Sequence, residues 1–495
     1  MNLTTTVTFN EDLGQNPGTL FEAKDADGRV VFGAGFAGLY NTFFRMDRWT
    51  LQFFVRGGDD SVTFEKLPPP SSDGGNYLFD FDGRVYQYSP YQDCTARWWD
   101  ADAGSWQVDD SFGIGETKRG EGKMRVAGKI LQFKDREVCY DGQQILSSPD
   151  KGHYHHFYYA HGWLSFYQDN SAGDPAWSKL HAVPWKPNQG PIDIGNATTL
   201  DLRYAGEQSF AVGQLGCEVI HSSNLGGVYI FDGSAWRILR QSLTGVSHQL
   251  YSMLNWYDRL LIGHYPSGNL FEYDGDVLRQ LDNWPPVMPG VSTENREAQT
   301  TGLYGGDLYV GVWPWAEFSR YDAFEGRWHF IRRMFDHPET TDQVDHPWED
   351  VINAYNETHD DDAVYNDWGH RITSMCAMDD SLYISLAPMG CYQRDLRLEF
   401  LHDDGAWNEY RTIHRMRKTG CAAGPVAWRA GPTTLRFTAE TDRMNISQDG
   451  KVIATASVDP NALRKIETAT IDWGSGMFGP LRGEIRSTTN VVSAQ

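Results

Sequence analysis

Cysteine, basic charge and long apolar runs are all scarce in this chain of 495 residues. The six cysteines, at 94, 139, 217, 376, 391 and 421, form no C-x-x-C pair. They are too thinly spread for a disulfide-built scaffold, so buried free thiols are expected, with one or two bridges if the protein is exported. Lys and Arg number 43 against 66 acids, a net charge of −23. Such a surface repels phosphate backbones and sets nucleic acid aside as a partner. No apolar run approaches the roughly 18–20 residues of a membrane helix, so no membrane partner is expected. The start, Met1-Asn2-Leu3-Thr4-Thr5, lacks a basic region followed by an apolar core. It reads as no secretory signal: the protein is cytoplasmic, or secreted or periplasmic with a leader removed. Also missing are a G-x-x-x-x-G-K-S/T loop, H-E-x-x-H, and G-x-S-x-G. No Asp-box series of the S-x-D-x-G-x-x-W kind recurs, which argues against a standard sialidase.

What is present is a phrase that returns: aromatic, Asp, a turn with Gly, then often Trp. It reads Phe231-Asp232-Gly233-Ser234-Ala235-Trp236, then Tyr273-Asp274-Gly275, then Tyr321-Asp322 with Gly326-Arg327-Trp328. Further copies are Trp99-Asp100 with Gly104-Ser105-Trp106, and Asp403-Asp404-Gly405-Ala406-Trp407. A period of about 40–50 residues built from short strands marks a β-propeller, with one four-stranded blade per repeat. Asp-Gly supplies the turn, and the Trp packs back across the outer hairpin. The expected fold is all-β, a propeller of seven blades, with eight as the alternative count.

Blade-like units begin near Asn76, Met124, His155, Leu200, Tyr251, Thr301 and Ile372. The propeller is expected over 1–431, its first segment closing the ring with strands from the C-terminus, which removes an exposed edge. Residues 67–75 form an exposed Pro-rich connector. Residues 335–370 interrupt the period with an acidic, aromatic loop that carries four histidines (337, 346, 359 and 370). Loops of this length on a compact scaffold are usually functional or disordered. Residues 432–495 lack the blade phrase and contain a hairpin at 446–454. They form a closing blade or a small β-sandwich.

The densest polar signal is Gly152-His153-Tyr154-His155-His156-Phe157-Tyr158-Tyr159-Ala160-His161. In a strand, His153 and His155 share one face and Tyr154 and His156 the other. Imidazole beside phenol suits proton transfer, which makes His155 and His156 catalytic candidates; packing in a Tyr-rich strand is the plainer alternative. Tyr251, His264 and Tyr265 join them, with His248 as a substrate contact. Arg203, Arg296 and Arg371 are candidates to grip a carboxylate. Trp313 and Trp315 offer faces for sugar rings. No cofactor is required by the pattern. Zinc could be held by His153, His155 or His156 together with a distant His, and calcium by the run Asp360-Asp361-Asp362.

The stretch from Gly152 to His156, followed by Gly162-Trp163-Leu164-Ser165-Phe166-Tyr167, resembles the His-rich blade opening of propeller-fold polysaccharide lyases of the ulvan and rhamnose–glucuronate type. The match covers about fifteen residues plus the general repeat. The resemblance implies that a His and a Tyr near the channel handle protons while an Arg neutralises the uronate carboxylate, often near a metal. Carried over, His155 or His156 matches the family's His; Tyr251, Tyr265, Arg203 and Arg296 are choices from chemistry alone. The expectation is an enzyme that cleaves a uronate-containing oligo- or polysaccharide by β-elimination, working as a monomer. The alternatives are a glycoside hydrolase using carboxylates such as Asp193, Glu218, Glu272 and Glu317, or a propeller that only binds glycan or protein.

Overall fold

The computed structural model describes the chain except residues 42–44, 57–60, 90–94, 113–121, 135–136, 390–392, 466–467 and 492–495. Nine small antiparallel sheets organise it. Seven are the blades of a propeller, which span 77–108, 122–146, 153–201, 209–240, 250–281, 297–333 and 371–418. We number them 1 to 7 in that order. Blade 7 takes its outermost strand from Val62–Leu67, which pairs with Ile413–Lys418 and joins the two ends of the ring. Closure therefore comes from an N-terminal strand, which covers the edge that Ile413–Lys418 would otherwise present.

Burial explains how each blade is read from sequence. The innermost strands of blades 5 to 7 are covered on both faces, so Arg371–Met378 is buried at every position and shows no alternation. The outermost strands are half-buried to exposed, as in Trp236–Arg240. The repeated phrase forms the turn into the outer strand. The Asp232 carboxylate accepts the backbone N–H groups of Ser234 (2.7 Å) and Ala235 (2.8 Å). Asp274 does the same for Asp276 and Val277, and Asp100 for Asp102 and Ala103. Trp236 then donates its indole N–H to the Thr198 carbonyl of blade 3 at 2.9 Å, so the phrase links neighbouring blades. One copy differs. Asp403-Asp404-Gly405-Ala406-Trp407 opens a short helix, Asp404–Glu409, with Asp403 as its N-cap. An Asp before a Gly caps a helix as readily as it turns a hairpin, which is why the phrase misleads there.

The remaining two sheets pack into a β-sandwich, and here the chain divides differently from the expected boundary at 431. One sheet joins Asn2–Phe9 to Pro432–Glu440 and Gly483–Val491, with two further strands from 443–457. The other joins Gly18–Lys24, Val30–Phe36 and Thr50–Val55 to Cys421–Pro425 and Thr470–Trp473. Both ends of the chain build the sandwich, and the propeller lies between them. Asn2–Phe9 alternates cleanly, turning Leu3, Thr5, Val7 and Phe9 into a core shared with Phe21, Phe53 and Phe437. Cys139, Cys376 and Cys421 are buried free thiols and Cys217 is an exposed one; Cys94 and Cys391 lie outside the described residues.

The sandwich caps one end of the propeller, the end where the inner strands finish. Leu39–Tyr40 pairs with the inner strand of blade 5. Arg45 donates to the Tyr159 and Gly14 carbonyls (2.9 and 2.8 Å) and to Asn16 Oδ1, and lies over the Tyr158 ring. Arg48 pairs with Asp12 at 2.6 Å, both almost fully buried. Arg56 is ion-paired with Asp307 and Asp322 of blade 6. Among the described residues no helix is long and apolar enough to cross a membrane.

Candidate functional site

With one end of the channel occupied by Arg45 and its neighbours, the opposite mouth is where the inner strands begin. Five of those strands break register close to this end. The shifts fall between His155 and Tyr158 in blade 3, Ser209 and Ala211 in blade 4, Leu250 and Met253 in blade 5, Ala298 and Thr300 in blade 6, and Ile372 and Ser374 in blade 7. Bulges of this kind re-aim side chains and gather at barrel rims and functional sites. The residues set inside them are His156, Phe157, Phe210, Tyr251, Ser252, Gln299 and Thr373. His156 carries a positive φ of 54°, the conformation a bulge imposes on a residue with a side chain. Phe210 and Tyr251 meet edge to face across blades 4 and 5, at 5.2 Å between centroids.

The predicted residues separate into three groups. The first is on blade 3, where His153, His155 and His156 run along the mouth. His155 lies 4.2 Å from His153 and is stacked on Tyr167 at 5.4 Å. The second spans blades 5 and 6: His248 meets Tyr265 at 5.8 Å, and Tyr265 meets Trp313 at 6.3 Å. From there the contacts continue into the 335–370 segment, through His346 (4.8 Å from Trp313) to Tyr365 (5.1 Å). Both His248 and Tyr265 are half-buried, so solvent reaches them. Burial, with the acidic charge of Glu297, Tyr365 and Asp345 nearby, raises the Tyr265 pKa, so its phenol keeps its proton. Arg371 stands at the start of the neighbouring inner strand, 3.7 Å from Glu297.

The third group has roles in the scaffold. Arg296 is 2% exposed and is held by Glu317 at 2.9 and 3.1 Å, with further bonds to the Pro286 and Ser267 carbonyls. A substrate carboxylate would have to displace a buried ion pair to reach it. Arg203 lies exposed on the loop after the outer strand of blade 3, over its neighbour Tyr204. His264 bonds Ser267 Oγ at 2.8 Å and packs on Phe271. Burial, helped by the charge of Arg240, pushes its pKa down to about 3, so it is neutral and belongs to the blade interior. Trp315 and Trp313 are 1% and 2% exposed, so neither presents a face to a sugar. Trp315 instead donates to the Asp345 carbonyl at 3.1 Å and carries Arg333 on its ring.

The 335–370 segment is ordered by packing rather than a bare loop. It contains the helix Glu349–His359 and a turn at Tyr365–Trp368. Trp348 stacks on Phe400 at 4.2 Å, and His370 stacks on Phe335 at 3.9 Å while bonding the Tyr410 hydroxyl. In the acidic run, Asp361 is bound by Arg397 (2.8 Å) and Tyr355 (3.2 Å). The four carboxylates of the hydrolase alternative do not converge. Glu218 accepts from Tyr273, Glu272 pairs with Arg259 and Arg279, Glu317 holds Arg296, and Asp193 caps a turn.

Two residues at the mouth escaped the sequence. Glu297 lies beside both Arg371 and Tyr265. Gln299 is 1% exposed in the blade 6 bulge, and neither polar atom of its amide has a partner among the described residues. Both sit in a run, Glu297–Tyr304, that reads as an ordinary buried strand; only the bulge distinguishes them.

No protein-family model matches this chain, and no curated protein does. Among solved structures it is similar to a computationally designed protein, Ika8 (11% identity, 66% of this chain and 97% of that one, TM-score 0.36). It is likewise similar to YCF48 bound to D1 peptide (9%, 74% and 97%, 0.38) and to Saccharomyces cerevisiae Sqt1 (10%, 79% and 98%, 0.38). Likeness at this level bears on no function, and the propeller stands on its own sheets.

Proposed function

We propose that this β-propeller is a carbohydrate-active enzyme that cleaves a uronate-containing polysaccharide by β-elimination at the mouth. The observation that carries the reading is the half-buried pair His248 and Tyr265, with Glu297 of blade 6 lying between Tyr265 and Arg371, which starts the inner strand of blade 7. Elimination needs a base for the C5 proton, a cation for the developing enolate and an acid for the leaving oxygen. His248 takes the C5 proton. The electron pair forms the C4–C5 double bond as the C4–O bond breaks, and Tyr265, which burial keeps protonated, gives its proton to the departing oxygen. Arg371, buried 3.7 Å from Glu297 in a looser pair than Arg296 makes with Glu317, offsets the charge that builds on the carboxylate once the substrate takes the place of Glu297. The unpartnered amide of Gln299 is suited to a sugar hydroxyl.

The test is ultraviolet absorbance of the unsaturated uronate, followed with a panel of uronate polymers. Wild type is expected to produce it. Tyr265→Phe and His248→Ala are each expected to lower kcat about 10²–10⁴-fold. New reducing ends without the absorbance would replace this reading with hydrolysis. Binding with no product of either kind would replace it with a glycan-binding propeller.

A further inference from the structure

We propose that His153, His155 and Asp169 form a zinc site at the mouth end of blade 3. The two histidines are alternate residues of the strand His153–Ala160, so both rings stand on one face. Asp169 is the partner of His153 on the next strand, which brings the carboxylate to the same face. The three ligand atoms, one from each residue, lie within 4.8 Å of one another. His153 Nε2 is 3.8 Å from Asp169 Oδ2. That gap is too long for a hydrogen bond and close to the separation of two ligands on one ion. A tetrahedral zinc with bonds of about 2.0–2.1 Å asks for only a small closing movement. His153, with its side chain 35% exposed, is free to make it.

The surroundings are those of a ligand set. Asp169 is fixed by the Ser171 N–H (3.0 Å), the Ser171 hydroxyl (2.8 Å), the Tyr167 hydroxyl (3.3 Å) and the Ser178 hydroxyl (3.4 Å). Three of these bonds go to Oδ1, while Oδ2 is the atom nearest His153. Donors that orient a carboxylate in this way support metal ligands. The His155 ring is set by stacking on Tyr167. All three residues are half-buried, which leaves an entry path. Two imidazoles with one carboxylate suit zinc; calcium would ask for oxygen ligands throughout. A second grouping, Asp322, Glu325 and His329, lacks this character because Asp322 is already bound by Arg56 and by two backbone N–H groups.

The inference stands apart from the lyase reading, because it is tested by metal binding and not by turnover. Zinc affinity of the full chain would be measured by competition with a chromophoric chelator. Cobalt would be used as a spectroscopic stand-in. One zinc per chain is expected, with visible cobalt bands typical of nitrogen and oxygen ligation. Ser171→Ala should weaken zinc about 10–100-fold, and His153→Ala should weaken it further. His248→Ala should leave it unchanged. Because His153 is half-exposed, its loss spares the core, and a retained thermal unfolding profile would verify this. Failure of wild type to hold stoichiometric zinc would overturn the site. So would an affinity equal in wild type, His153→Ala and His155→Ala, or a thiolate charge-transfer band in the cobalt form, which would move the metal to a cysteine.

Discussion

Single side chains at the two ends of the channel have opposite duties. At the capped end, Arg45 gives three hydrogen bonds to two backbone carbonyls and Asn16, and burial lowers its pKa to about 10. Arg45→Ala leaves those acceptors unmet and is expected to cost about 1–3 kcal/mol, read from urea unfolding. A loss below 1 kcal/mol would mean that water replaces the guanidinium without penalty. At the mouth, His248 and Tyr265 are half-buried and stay within reach of solvent. Residue type alone could not separate these fates. Arg296 and Arg371 each begin an inner strand in the sequence and both are buried beside a carboxylate, but Arg296 is held by Glu317 at 2.9 Å while Arg371 stands 3.7 Å from Glu297. Likewise, Trp313 and Trp315 look like a platform for sugars until their neighbours bury them.

Strands and turns were more legible than side-chain roles. Six of the seven inner strands begin within five residues of the unit starts read from the sequence. The exception is Leu200. It belongs to the outer strand Thr198–Asp201, and the inner strand of blade 4 begins at Ser209. Leu200 and Leu202 pack on the flank of the Tyr167 cluster, so their apolar character mimics a strand start. The sandwich was illegible at its first strand, because the partners of Asn2–Phe9 lie more than 400 residues away. The bulges were hidden for a related reason: register is a property of two strands, and periodicity describes one. Close packing between blades gives an element-level test. A Cβ on Gly263 would sit 1.8 Å from the Ala298 carbonyl oxygen. Gly263→Ala is therefore expected to destabilise by about 1–3 kcal/mol or more and to lower the thermal midpoint; an unchanged midpoint would mean that blades 5 and 6 slide apart freely.

For the whole molecule, charge sets the conditions of use. Burial pushes the pKa of His221, His264 and His414 down to about 3, and that of His181 to about 4, from an ordinary 6.5. These histidines are neutral in the folded protein, and the unfolded chain binds more protons below pH 6.5. Their contribution is complete above 6.5 and is lost as pH falls towards 3 to 4. Asp80 acts the other way. Burial, with Asp47 beside it, raises its pKa to about 7, so its contribution is present below 3.8 and is lost as pH rises through 7. Four histidines outweigh one carboxyl. Urea midpoints are expected to fall from pH 6.5 to 5, by up to about 1.4 kcal/mol per pH unit for each histidine; a flat profile would contradict this burial. The net charge of −23 makes a second demand. An anionic polymer is repelled at long range, so salt that shortens the screening length to about 8–10 Å should raise kcat/KM from its low-salt value. A steady fall with salt would place a basic track on the surface that the charge count conceals.

The seam of the ring also has a history in time. Val62–Leu67 is made early, and its partner Ile413–Lys418 follows only about 350 residues later. At the usual pace of synthesis, about 5–20 residues per second, the first strand waits roughly 20–70 s for the last. During that interval the growing chain carries an unpaired edge through blade after blade. The nascent protein is thus most open to helpers, and to mispairing with its neighbours on the same message, until Ile413–Lys418 has been made.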